Sequence, residues 1–193
     1  MPILLLGLII FLATHSLRIF ADDWRTKQIE RLGEKRWKGV FALASAVGFV
    51  LLVWGFSLAR VAPIVLYAPP PWLKAATIVL MVPAFLLLTA AYVPGNSLKA
   101  ALGHPMLLSV KVWAFAHLLA TGSAADVLLF GGFLAWAVTD YAIARRRDRR
   151  RGVRHPRGTA RGNAIVLVVG LLAWWVFAHL LHRLLIGVSP FSP

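Results

Sequence analysis

Cysteine is absent from the 193 residues, which excludes disulfides, thiolate metal centres and a thiolate-ligated haem. Charge is also scarce. Asp, Glu, Lys and Arg make up only 15% of the chain against 60% hydrophobic residues, and the mean hydropathy is +0.76. An ordinary soluble domain is excluded on those figures. Residues 1–20 have neither a basic leading region nor a small-residue cleavage site, so the first apolar run is expected to be a retained helix. The charge that exists is mostly of one sign, a formal +14 gathered in short blocks between apolar runs. Such blocks suit a cytoplasmic membrane surface and anionic lipid, and no nucleic-acid partner is expected.

The apolar runs predict an all-α, polytopic integral membrane helix bundle in one domain over residues 1–193. About six transmembrane helices are expected, near residues 2–20, 40–58, 73–92, 105–120, 125–144 and 163–185, each close to a bilayer crossing in length. Basic loops at 21–39 and 145–162 separate them, and the second carries nine Arg. Trp24, Ile29, Leu32 and Trp37 recur at near-helical spacing in the first loop, which reads as a surface helix or as a solvated loop of paired charges. Pro83 lies inside the third run and predicts a kink, and residues 96–102 predict a short interfacial turn of helix.

Placing the loop after the first span in the cytoplasm puts all but four of the 21 Lys and Arg on that side. Arg60, Lys74 and Arg183 fall outside and Lys111 within the membrane. The positive-inside rule then holds in every loop, and both termini are expected to be periplasmic in a bacterial inner membrane.

The organising stretch runs from Leu102 to Gly122 and carries His104, Lys111 and His117 in an otherwise apolar segment. Ionisable groups at such depth cost a few kcal/mol and face protein, water or a cofactor. Pro105 suits a first helical turn, which puts His104 at the N-cap. His15, with Arg18 three residues on, lies at the cytoplasmic end of the first span, so His15 and His104 are expected at one level. His117 is 13 residues beyond His104, about 20 Å deeper at the helical rise. Lys111 shares the His104 face and is expected beside that site or paired with Asp126 or Asp140. Two neutral imidazoles from different helices are an axial haem pair, with His117 as the alternative ligand; interfacial hydrogen bonding is the plainer role for any of them. The Trp-rich end of the last span, with His179 and His182, reads as an interface belt.

FLATHSLRIFADDWRTKQIERLGEKRWKG, AAYVPGNSLKAALGHPMLLSVKVWAFAHLLATG and the RRRDRR that follows resemble the NnrU family of membrane proteins over most of the chain. The resemblance implies a link to bacterial denitrification, through expression of the nitrite and nitric oxide reductases. The HS step at His15 and the HP step at His104 are similar to those of the more distant 15-cis-zeta-carotene isomerase, which implies haem b on these two residues. Lys111 is then expected to touch a propionate and Arg18 to belong to the basic rim. The HP-led helix is also similar to isoprenylcysteine methyltransferase-like proteins, but Gly103 replaces their Arg and no Glu follows Glu34, which speaks against methyl transfer.

These observations lead to a redox- or gas-responsive haem protein of the inner membrane. The alternatives are an enzyme acting on an apolar, lipid-soluble substrate, by haem-dependent isomerisation or, as the weaker alternative, by methylation, and a cofactor-free membrane scaffold.

Overall fold

The computed structural model describes residues 1–154 and 156–191, so His155 of the second basic stretch and the last two residues lie outside the described residues. Its secondary structure is helical: α1 (Pro2–Phe20), α2 (Asp22–Leu32), α3 (Glu34–Val61), α4 (Trp72–Tyr92), α5 (Ser97–Leu102), α6 (Pro105–Ala120), α7 (Ala124–Arg151) and α8 (Ala160–Val176), the last continued by a π-helical turn (Phe177–Leu181) and α9 (His182–Ile186). Five helical stretches are long and apolar enough to cross a membrane, and α6 is a shorter apolar sixth. The chain is a multi-pass helical membrane protein, and it leaves large apolar residues such as Val47, Val50, Val53, Leu167 and Val168 exposed.

The first basic stretch takes the helical of its two expected readings, and the second, expected as a loop, is more helical than that. In residues 21–39, Asp22 and Asp23 open α2 and Arg31 lies in its last turn, both favourable to the helix dipole. Gly33, at φ 80°, makes the break, and α3 starts at once at Glu34. The arginine run does not unwind either. Arginine is a good helix former, so α7 continues through Arg151 until Gly152, at φ 61°. At 28 residues α7 is about 42 Å long, which carries its arginines past a hydrocarbon core of about 30 Å.

The chain divides into two compact units, Met1–Ala68 with Gly122–Trp136 and Pro69–Thr121 with Ala137 onward, and α7 contributes to both. In the first unit α1 and α3 pack antiparallel through glycine. A Cβ on Gly7 would strike the Leu52 backbone, one on Gly48 would lie 2.8 Å from Phe11 N, and one on Gly55 would strike the Leu4 backbone. Each step forward on α1 is matched by an equal step back on α3. The start of α7 runs parallel to α1, since Gly132 meets Leu8, Phe133 meets Phe11 and Trp136 meets His15. The loop after α3 closes on the turn before α7, through Leu66 N to Gly122 O at 2.8 Å and Ala124 N to Ile64 O at 2.8 Å.

In the second unit polar side chains join the helices. Thr77 donates to Ala116 O and Ser109 to Ala84 O, both at 2.7 Å, so seven residues forward on α4 match seven back on α6. The Ser109 bond falls beside Pro83, which sits inside a continuous α4. Asn96 is buried. Its Nδ2 donates to Ala90 O and Val93 O at 2.9 and 2.6 Å, while its Oδ1 accepts from Lys99 N at 2.8 Å, so one amide closes α4 and caps α5. Asn163 of α8 accepts from Ser97 N at 2.7 Å, and Thr159 N donates to Gly95 O at 2.8 Å. Within both units the helix directions are those of successive crossings.

Candidate functional site

The first unit holds His15. Its Nδ1 lies 2.8 Å from Phe11 O, one turn back. A carbonyl only accepts, so the proton sits on Nδ1 and the lone pair on Nε2, the atom that can bind a metal or accept a proton. The ring stacks on Phe11 with centroids 4.2 Å apart and takes Phe41 and Trp136 edge-on at 5.2 and 6.2 Å. Three aromatic side chains therefore fix its plane.

Beside this ring lies a cavity of about 490 Å³, lined by Thr14, His15, Leu17, Arg18, Arg25, Ile29, Glu34, Trp37, Lys38 and Phe41. That is the size of a small-ligand site. Its wall is apolar on Leu17, Ile29, Trp37 and Phe41 and cationic on Arg18, Arg25 and Lys38, with Glu34 the single carboxylate. Arg25 contacts Asp22 at 3.3 Å and Lys38 contacts Glu34 at 2.6 Å, each within one turn. Trp37 is buried with Trp24 edge-on at 5.9 Å, which ties α2 to the start of α3. Two buried donors of this unit, Ser45 Oγ and Trp136 Nε1, have no hydrogen-bond partner.

His104 is the N-cap residue of α6, in the second unit, and its side chain does not cap the helix. Instead Nε2 bonds Asp148 Oδ2 at 2.8 Å, with both side chains largely covered. The Tyr141 ring meets His104 edge-on at 6.4 Å, and Tyr141 Oη donates to Leu102 O at 3.2 Å. Lys111 Nζ stands 4.1 Å from the centre of the same Tyr141 ring, a cation–π contact. Lys111 thus belongs to the His104 cluster through Tyr141. Asp126, offered by the sequence as a partner for Lys111, bonds Ser123 N and Oγ at 3.0 and 2.6 Å and so holds the start of α7.

His117 and His179 each bond a carbonyl one turn back on their own helix. His117 Nδ1 bonds Trp113 O at 2.8 Å near the far end of α6. His179 Nδ1 bonds Trp175 O at 3.0 Å in the π-helical turn, stacked on Trp175 at 5.0 Å. Among the described residues no three His, Asp or Glu are grouped to hold a metal ion.

Sequence reasoning singled out His15, Arg18, His104 and Lys111 but not their partners. Asp148 is 44 residues from His104, and no local spacing announces that pair. Arg25 and Lys38 had one signal, acids three and four residues before them.

Of the comparisons with known proteins, one gives a match. A family model described as "NnrU protein" matches residues 3–190. No curated protein and no solved structure matches the chain.

Proposed function

The chain belongs to the NnrU family, and from that premise we propose that it is a bacterial inner-membrane protein serving nitrogen-oxide metabolism, with haem b held on His15 as a redox- or gas-responsive group. Both termini are periplasmic in this reading, and the ends of α1 and α7 that carry Arg18 and the arginine run face the cytoplasm.

The observation that carries the proposal is the state of His15. Its Nδ1–H rests on Phe11 O, and Nε2 keeps its lone pair beside a ligand-sized cavity. A backbone carbonyl on the far nitrogen is the usual support of a ligating imidazole, because it sets the tautomer and raises the basicity of the other nitrogen. Phe11, Phe41 and Trp136 hold the ring against rotation. The donor set therefore fits a haem: His15 Nε2 would hold its iron, and Leu17, Trp37, Phe41 and Arg18 would line its site. Bound there, haem would supply an iron able to take an electron or a diatomic gas.

His104 has a different part. With Nε2 on Asp148 it anchors the start of α6 to the arginine-bearing end of α7, so ligation through that nitrogen requires the carboxylate to let go. The test is the visible spectrum of detergent-purified protein, oxidised and dithionite-reduced. A Soret band that shifts on reduction, is lost in His15→Ala and survives in His104→Ala is expected. A colourless wild type after growth with ample haem supply would sink the proposal.

A further inference from the structure

The cavity beside His15 is lined by both apolar and cationic side chains. Leu17, Ile29, Trp37 and Phe41 are the apolar ones, and Arg18, Arg25 and Lys38 the cationic, with one lining carboxylate, Glu34. Asp22 approaches Arg25 from outside the lining. The two acids hold their cations from within the same helical turn, and the Lys38–Glu34 pair is exposed at more than 70% on both side chains. An exposed pair of that kind is worth little, so Lys38 is available to a better-placed anion, and Arg25, held at 3.3 Å by Asp22, lines the cavity beside it.

The surroundings point the same way. α2 has no buried residue, Phe20 at the end of α1 is 74% exposed, and Trp24, whose ring meets that of the lining residue Trp37, is 50% exposed. Large exposed aromatics next to cations on a short helix at the end of a span describe a membrane interface, where apolar chains and anionic heads are both within reach. A ligand drawn from there would lay its apolar body on the apolar lining and its head on the cations.

We infer that this cavity binds an amphiphile with an anionic head, carboxylate or phosphate, received by Arg25 and Lys38, with Trp37 and Phe41 against its apolar body. The inference rests on the cavity and its charges. Two sources share the chemistry: haem propionates, as in the proposed function, and the headgroup of an anionic phospholipid.

The experiment uses the full chain, purified without added haem in phosphatidylcholine nanodiscs. Tryptophan fluorescence is titrated with haemin and, separately, with acyl-brominated phosphatidylglycerol, and acyl-brominated phosphatidylcholine serves as the neutral reference. Trp37→Phe identifies the signal from the cavity. In the double variant Arg25→Gln, Lys38→Gln the apparent affinity is expected to fall about tenfold or more for at least one anionic probe and to stay unchanged for phosphatidylcholine. A fall for haemin alone names propionate as the head, a fall for phosphatidylglycerol alone names the lipid, and a fall for both names a shared site. Unchanged affinity for both anionic probes, or an equal response to the neutral lipid, overturns the inference. Haemin that binds no differently in His15→Ala, while the preference for phosphatidylglycerol persists, sinks the haem reading and leaves this one standing.

Discussion

In the first unit α1 and α3 meet backbone to backbone, because Gly7, Gly48 and Gly55 leave no side chain between them. In the second, α4 is joined to α6 by hydroxyls and the α5 region to α8 by an amide, with glycine left to α8, where Gly162 and Gly170 approach Gly95 and Leu86. Both solve one problem. Lipid gives apolar helices no hydrophobic reason to associate, so association has to come from close packing or from hydrogen bonds between helices. The solutions differ in what they leave over. Close packing on glycine orders α1 without spending polar groups on it, and His15 keeps a nitrogen for other use. The stitched unit commits its polar groups, His104 among them, to partners of its own.

That contrast can be broken at its strongest point first. Gly55→Leu puts a branched side chain where even a Cβ meets the Leu4 backbone, and neither helix can yield without losing the contact. It should cost more than about 3 kcal/mol, seen as loss of monodisperse protein in size-exclusion chromatography, whereas the same change at Gly39, where nothing lies within 4 Å, should leave the protein intact. Next in size is Asn96→Ala. It leaves two carbonyls and the Lys99 amide without their partner in a buried position, a loss of about 3 kcal/mol and about 10 °C in thermal unfolding. If Asn96→Ala melts like the wild type, the hydrogen bonds are not what holds the second unit. The smallest effect should be Ser45→Ala in the first. Its hydroxyl is buried and unpartnered, so removal should leave the melting temperature unchanged or raise it slightly; a clear fall would mean that polar bonds matter on the glycine-packed side too.

Much of the architecture could be read from the chain beforehand, and the reasons are local. Apolar runs of bilayer length name the spans, and Pro105 marks the start of α6. Asn96 marks α5 because its short amide caps a helix whatever lies around it. Helix ends were less legible. The arginine run suggests a loop by charge alone, while helix propensity and the Asp148–His104 bond carry α7 to Arg151. The candidate site was legible by residue type and not by state. His15 and His104 look alike as isolated histidines at the ends of apolar runs, yet one donates Nδ1–H to its own helix and the other gives Nε2 to a carboxylate 44 positions away. Lys111 joined the His104 side through Tyr141, which helical spacing could indicate only as a shared face.

What the sequence determined by itself was whatever depends on a residue and its near neighbours: a membrane protein by composition, its spans by length, and the places where charge interrupts them. Hydropathy and helix propensity are short-range quantities and can be summed along a chain. Tertiary structure alone decided that His104 Nε2 is held by Asp148, that Arg25 and Lys38 line one cavity with His15, and that Ser45 Oγ and Trp136 Nε1 stay unpaired. Those are facts about distance between residues far apart in sequence, settled where glycine lets backbones touch and where a hydroxyl or carboxylate reaches the next helix.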